Sequence, residues 1–216
     1  MDLKSTSYPM RNKFFTLEDP LADKPLRICV SGYSDWITVE QSNLLIRGKL
    51  VLDKSLQLGT YQGGQATDFI WSGMPSIICI SQRVVDLFRS NHVTGWTIYP
   101  VELHNRKGQL LTEYHGFSVI GKEYKRDLSR SALITKPPPT TKGKAYQVYK
   151  GLCFNENEWS GEDIFFIQYS GIIITEKVKN IIQKYKITNT RIIALEEVEI
   201  DKFLVDMKNS NINNNI

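Results

Sequence analysis

Apolar and polar positions along the chain change period several times, and each change marks an element. Leu26–Val30 alternates weakly and predicts a short strand, ended by Ser31-Gly32. Ile37-Thr38-Val39 and Leu44–Leu52 predict further extended or helical elements. Such short apolar runs do not by themselves separate strand from helix. Ile77–Ile80 is a continuous apolar run. After it, Val84, Leu87 and Phe88 fall at the i, i+3, i+4 spacing of one helix face. Ile172–Ile174 repeats the run, and Val178, Ile181 and Ile182 repeat the face. Leu110–Ile120 and Ala145–Phe154 read as strands, with a bulge expected at His115-Gly116. Pro137-Pro138-Pro139, followed by Thr140-Thr141-Lys142-Gly143, can form neither helix nor inner strand and reads as a solvated loop.

The two helix patterns belong to an internal repeat. With Ile78–Glu102 placed over Ile172–Glu196, an offset of 94, six of 25 positions are identical. In each copy an apolar strand runs into a hydroxyl residue, Ser81 or Thr175, positioned to cap the helix that follows. A β-rich segment comes next, Thr97–Leu103 or Arg191–Ile200. Upstream, Asp68-Phe69-Ile70-Trp71 matches Asp163-Ile164-Phe165-Phe166. The fold class expected is therefore α+β. A mixed, mainly antiparallel sheet carries two hydroxyl-capped amphipathic helices in a pseudo-duplicated strand–strand–helix–strand unit. One helix covers only one face of its own strands, so the two copies are expected to share a core. Residues 1–20 read as a loosely anchored arm, 21–206 as a single domain with repeat units at about 68–103 and 163–200, and the Asn-rich 207–216 as a frayed tail.

Composition narrows the class. The 216 residues are 41% hydrophobic and 23% charged, close to the soluble globular average, which excludes a disordered chain, a collagen and a disulfide scaffold. No apolar run approaches the ~20 residues of a membrane helix. Three scattered cysteines, Cys29, Cys79 and Cys153, make no disulfide framework, and no apolar stretch follows Lys4, Arg11 and Lys13 as a signal peptide requires. A cytoplasmic protein is expected. The net charge of +4 is uneven. Residues 121–150 carry eight Lys/Arg against Glu123 and Asp127, with Tyr124, Tyr146 and Tyr149 nearby. Such a stretch can track a nucleic-acid backbone, although a solvated loop explains the charge run as well.

Reactive constellations are not evident. His92, His104 and His115 show no metal-ligand spacing, although the last two are spaced to meet across a hairpin. There is no nucleophile elbow, and Cys153 sits in an apolar context that makes a thiol inert. No cofactor, metal or catalytic residue is expected. The densest carboxylates are Glu156, Glu158, Glu162 and Asp163, around Trp159. Tryptophan among acids suits a contact with a basic partner, so Glu156, Glu158, Trp159 and Glu162 are the candidate partner-binding residues. A carboxylate site assembled in space remains the alternative for an enzyme.

Several of these motifs carry a resemblance. Ser81 before the first helix, Val93-Thr94-Gly95-Trp96, Pro100-Val101-Glu102, Asp163-Ile164-Phe165 and Thr175 before the second helix resemble a bacterial immunity-protein family, the eleventh catalogued in polymorphic-toxin systems. The resemblance spans roughly residues 68–200. The second copy departs from it, with Asn189, Thr190 and Ala194 where the first has Gly95, Trp96 and Pro100. The resemblance supplies no catalytic residues. It implies a cytosolic, non-catalytic protein that binds and neutralises a cognate toxin.

Overall fold

A computed structural model describes residues 14–29, 37–73 and 76–213, the last six by backbone alone. In chain order the elements are β1 (Phe14–Glu18), β2 (Arg27–Cys29), α1 (Val39–Ile46), β3 (Leu56–Gln62), β4 (Phe69–Ser72), β5 (Ile78–Ser81), α2 (Gln82–Ser90), β6 (Trp96–Tyr99) and β7 (Val101–His104). There follow β8 (Leu110–Leu111), β9 (Tyr114–Val119), β10 (Glu123–Tyr124), β11 (Ala132–Lys136), β12 (Tyr146–Lys150) and β13 (Ile164–Ile167). The chain continues through β14 (Ile172–Thr175), α3 (Glu176–Lys184), β15 (Arg191–Ala194), β16 (Glu199–Asp201) and α4 (Lys202–Asn213). Helices and mostly antiparallel strands in mixed sheets make this an α+β protein.

The strands form sheets ordered β6-β9-β5-β4-β2-β3-β7-β8, β10-β13-β14-β1-β15 and β11-β12-β16. The first two contain the same five-strand arrangement. A hairpin, β4–β5 or β13–β14, is flanked on one side by a parallel strand, β2 or β10. On its other side an antiparallel strand from elsewhere, β9 or β1, separates the hairpin from the strand that follows the helix, β6 or β15. The hairpin registers correspond as well, with Phe69 opposite Ile80 and Ile164 opposite Ile174.

Side chains alternate across each sheet. Phe69, Trp71, Ile78 and Ile80 face one cluster together with Ile164, Phe166, Ile172 and Ile174. Val84, Val85 and Phe88 of α2 and Val178, Ile181 and Ile182 of α3 fill the same cluster, so the two units share a core. On the far face of the first sheet, Ile70 and Cys79 meet Leu45 of α1. On the far face of the second, Phe165, Ile167 and Ile173 meet Phe14, Tyr124 and Phe154. Strands covered on both faces need no polar side, which is why these runs are continuously apolar.

Four expectations need correction. The segment read as a loose arm holds β1, an inner strand paired to β14 and β15, with Phe14, Phe15 and Leu17 buried. Its partners lie more than 150 residues away, beyond the reach of local pattern; residues 1–13 lie outside the described residues, as does the expected strand end at Val30–Gly32. The tail read as frayed from 207 is helical to Asn213, because α4 continues from β16 and packs against β12. Gly116 makes no bulge: Cys79 pairs with Gly116 and Ile80 with His115 in unbroken register. Its glycine is needed because the Tyr99 ring lies across it, 2.0 Å from where a Cβ would stand. Lastly, only one of the two repeat helices is capped by its hydroxyl. Ser81 Oγ accepts from the Val84 N–H, whereas Thr175 makes no cap bond and donates to Asp163 instead.

Candidate functional site

Two buried aspartates join the units at the end where the strands enter the helices. Asp68 immediately precedes β4 and Asp163 precedes β13. Asp68 accepts from Ser81 Oγ at 2.9 Å and from Arg83 at 2.8 Å, both in its own unit. It also accepts from the backbone N–H and hydroxyl of Thr188, in the other unit, at 2.9 and 3.0 Å. Asp163 accepts correspondingly from Thr175 Oγ1 at 3.1 Å and Lys177 at 2.8 Å, and across the interface from the N–H and hydroxyl of Thr94 at 3.0 and 3.2 Å. The cations reach across too, Arg83 to the Tyr185 carbonyl and Lys177 to the His92 carbonyl. Burial raises the Asp68 carboxyl, but the donors from Thr188, Ser81 and Arg83 outweigh it and hold the group below its ordinary value. Every oxygen of these nodes is engaged, so they fasten the units together and leave no free base or nucleophile there.

The opposite end of the same interface is open. Ser72, Gly73 and Ser76, Ser170 and Gly171 of the β13–β14 turn, the end of β1 and the C-terminal part of α1 line a cavity of about 540 Å³. Its walls are largely apolar, including Leu17, Ile46, Trp71, Ile78, Phe166 and Ile172. Arg47 lies at the wall with its guanidinium 4.7 Å from the centre of the Phe166 ring and an ion pair to Glu123. Arg27 is paired with Asp19 at 2.8 Å. Ser76 donates to Asn43. Ser72 is at the edge of the cavity, but its hydroxyl is buried away from solvent and has no hydrogen-bond partner among the described residues.

The residues singled out in the sequence are distributed elsewhere. Glu162 accepts from the Lys122 N–H and Tyr124 hydroxyl at 2.9 and 2.8 Å and from Ser160 at 3.0 Å. Burial raises its carboxyl, and these bonds together with its own backbone N–H bring it below the ordinary value. Trp159 packs edge-on against Phe14 at 5.1 Å and donates its indole N–H to the Glu162 carbonyl. Glu156 and Glu158 sit on a 3-10 turn, Glu158 exposed. The basic stretch does not form a stripe. Arg126 is buried and donates to the Tyr169 carbonyl at 2.6 Å, its charge disfavoured by desolvation. Arg130 donates to the Phe154 carbonyl, Lys136 pairs with Glu199, and Lys122 lies over the Tyr124 ring.

His104 pairs opposite Leu110 in β7–β8, while His115 lies in β9 and bonds Gln82 at 2.6 Å, so the hairpin does not bring them together. Among the described residues no three of His, Cys, Asp or Glu converge on a metal position, and no helix is long and apolar enough to cross a membrane. The thiol of Cys79 is fully buried and pushed far up by desolvation. The sequence reading missed Asp68 and Asp163 as paired fastenings, although their equivalent places before apolar strands were legible.

The chain matches the Immunity protein family (Imm11) over residues 47–197, which takes in both units, both aspartate nodes and most of the cavity wall. No curated protein matches it. The chain belongs to this immunity protein family.

Proposed function

We propose that this immunity protein binds a cognate toxin in the cytoplasm and neutralises it by occupancy, with no chemistry of its own. The observation that carries the reading is the family match across both units. The architecture supports it: two sheets fastened through buried aspartates make a rigid frame, and preorganised frames lose little freedom on association. In the acidic turn, Glu158 is exposed and accepts from Asn155 with one carboxylate oxygen at 2.9 Å, leaving the other to a basic partner surface, whereas Trp159 and Glu162 spend their polar atoms within the protein. The alternative of a nucleic-acid partner draws less support, because Arg126, Arg130 and Lys136 are engaged internally.

The test is co-expression. A neighbouring gene product that is toxic alone should become harmless with this chain and co-purify with it in a stoichiometric complex. Toxicity unaffected by the chain, with no complex, refutes the reading. A mobility shift on duplex DNA that falls steeply with salt would favour the nucleic-acid alternative.

A further inference from the structure

The small sheet β11-β12-β16 ends at β11, to which no described strand is added. Among the described residues β11 is the longest strand at a sheet edge, five residues against four for β6 and β15, three for β16 and two for β8 and β10. Its pairing with β12 is unbroken from Ala132 opposite Lys150 to Lys136 opposite Tyr146. The direction of its backbone groups follows from the other side of β12. Gly151 donates its N–H to the Val198 carbonyl, toward β16. Successive residues of a strand turn their N–H and C=O to opposite sides, so Lys150, Val148 and Tyr146 face β11, opposite Ala132, Ile134 and Lys136. Leu133 and Thr135 therefore aim both backbone groups outward, and these have no hydrogen bond to any described residue. Both residues are uncharged and exposed, Leu133 at 49%. Such a row of donors and acceptors is a template for a further strand, which proteins otherwise blunt by shortness, charge or a covering element.

The side chains beside the edge define what it accepts. Leu133 and Thr135 lie on one face with Tyr149 and Gln147; Ala132, Ile134 and Lys136 lie on the other with Lys150, Val148 and Tyr146. The first face offers Leu133 to an apolar neighbour. On the second, Lys150 is exposed, and only the small Ala132 stands between it and the free edge. A carboxylate on an added strand reaches Lys150 across Ala132, as the Lys136–Glu199 pair already spans β12 within this sheet. Residues 130–150 contain Arg130, Lys136, Lys142, Lys144 and Lys150 and no Asp or Glu. Adding β11 of a second copy would set these like charges against one another. We propose that β11 receives an added strand from the toxin, an extended segment alternating apolar and acidic side chains; the toxin as its source rests on the immunity reading. Pro137-Pro138-Pro139 ends the template, so the contact is limited to the five residues of β11.

The edge is tested first on the intact protein with a capped Val-Glu repeat peptide of about eight residues, read by amide NMR. Millimolar peptide should shift the Leu133 and Thr135 amides and slow their hydrogen exchange about tenfold. A Val-Lys repeat should bind about tenfold more weakly, because like charges on neighbouring strands repel. Lys150→Met should narrow the gap between the two peptides. Thr135→Pro removes an outward donor and no bond to β12, so the fold is retained while binding of the Val-Glu peptide falls about tenfold. Leu133→Glu, at an exposed position, sets an acid against the acidic strand and should weaken the peptide by a similar factor. Both variants should lower protection about tenfold in the co-expression assay. If Thr135→Pro fails to melt cooperatively, Leu133→Glu decides.

Amides unmoved by the Val-Glu peptide, or equal binding of the Val-Lys peptide, overturn the edge as a template for an acidic strand. A dimer of the chain alone, with the Leu133 and Thr135 amides already protected, also overturns it, since a second copy then fills the edge. A folded Leu133→Glu protein that rejects the peptide yet protects as well as the parent chain overturns the toxin strand. Failure of the parent chain to protect while the Val-Glu peptide binds counts against the immunity reading and the toxin as source of the strand, and leaves the edge chemistry standing.

Discussion

The Asp68 and Asp163 nodes solve one problem with different side chains. Each carboxylate collects a hydroxyl and a cation from its own unit and a threonine from the other. Around them the details diverge. The chain turns through the left-handed region at Gly95 (φ +85°) in one copy and at Asn189 (φ +61°) in the other. At Gly95 the backbone approaches so closely that a Cβ would lie 2.0 Å from the Ile164 carbonyl oxygen. At Asn189 there is room for a side chain, and its amide donates to the equivalent carbonyl, that of Phe69, at 2.8 Å. Trp71 then bonds the Asn189 carbonyl at 2.8 Å. What the two nodes hold in common is the set of bonds across the interface; the means of turning the chain into it are exchangeable.

This comparison breaks most sharply at the turns. Gly95→Ala should cost about 3–4 kcal/mol, because it combines left-handed strain with a clash against backbone. Asn189→Ala should cost about 1–2 kcal/mol, the loss of one hydrogen bond and of asparagine's tolerance for that conformation. Urea denaturation of both variants measures the gap, and equal losses would mean the close approach at Gly95 is not a constraint.

The aspartates themselves come next. Asp68→Ala and Asp163→Ala should each cost about 3 kcal/mol, since buried donors lose their acceptor. The cation partners contribute little of this, as Arg83 and Lys177 are 50% and 44% exposed and solvent screens them. Arg83→Met and Lys177→Met should therefore cost about 1 kcal/mol or less in the same denaturation series.

A smaller difference lies in the helix caps. Ser81→Ala removes a cap bond and an aspartate bond and should cost about 1–2 kcal/mol; Thr175→Val removes only the latter and should cost about 1 kcal/mol. Equal costs would show that the 3.4 Å contact from the Val84 N–H contributes nothing.

The finest test is pH. The Asp68 carboxyl is held below its unfolded value, so its contribution is fully present above about pH 4 and is lost as pH falls through the folded value. Denaturation midpoints from pH 7 down to pH 2 should fall in acid less steeply for Asp68→Asn than for the parent chain.

Much of the frame was legible in order along the chain. The helix faces at Val84, Leu87 and Phe88 and at Val178, Ile181 and Ile182 follow from spacing, and the repeat pointed to a shared core. The α1 start was less legible. Thr38 and Gln41 form a reciprocal cap, at 2.9 and 3.0 Å, in a segment whose apolar run is ambiguous by period. The candidate site was largely hidden. Trp159 and Glu162 have the composition of a contact surface, yet Phe14 and Tyr124, distant in sequence, draw both inward. The charge of residues 121–150 suggested a basic face, and burial of Arg126 disperses it.

The sequence by itself determined the apolar faces of α2 and α3, the α+β class and the family, because each is written in short-range spacing and residue type. Only the tertiary structure decided that Phe14–Glu18 is an inner strand, that Asp68 and Asp163 grip threonines of the opposite unit, and that a cavity remains between Trp71 and Phe166. Those features depend on partners 69 to 179 residues apart. Neither periodicity nor propensity carries information over such distances; packing and the need to satisfy buried polar groups do.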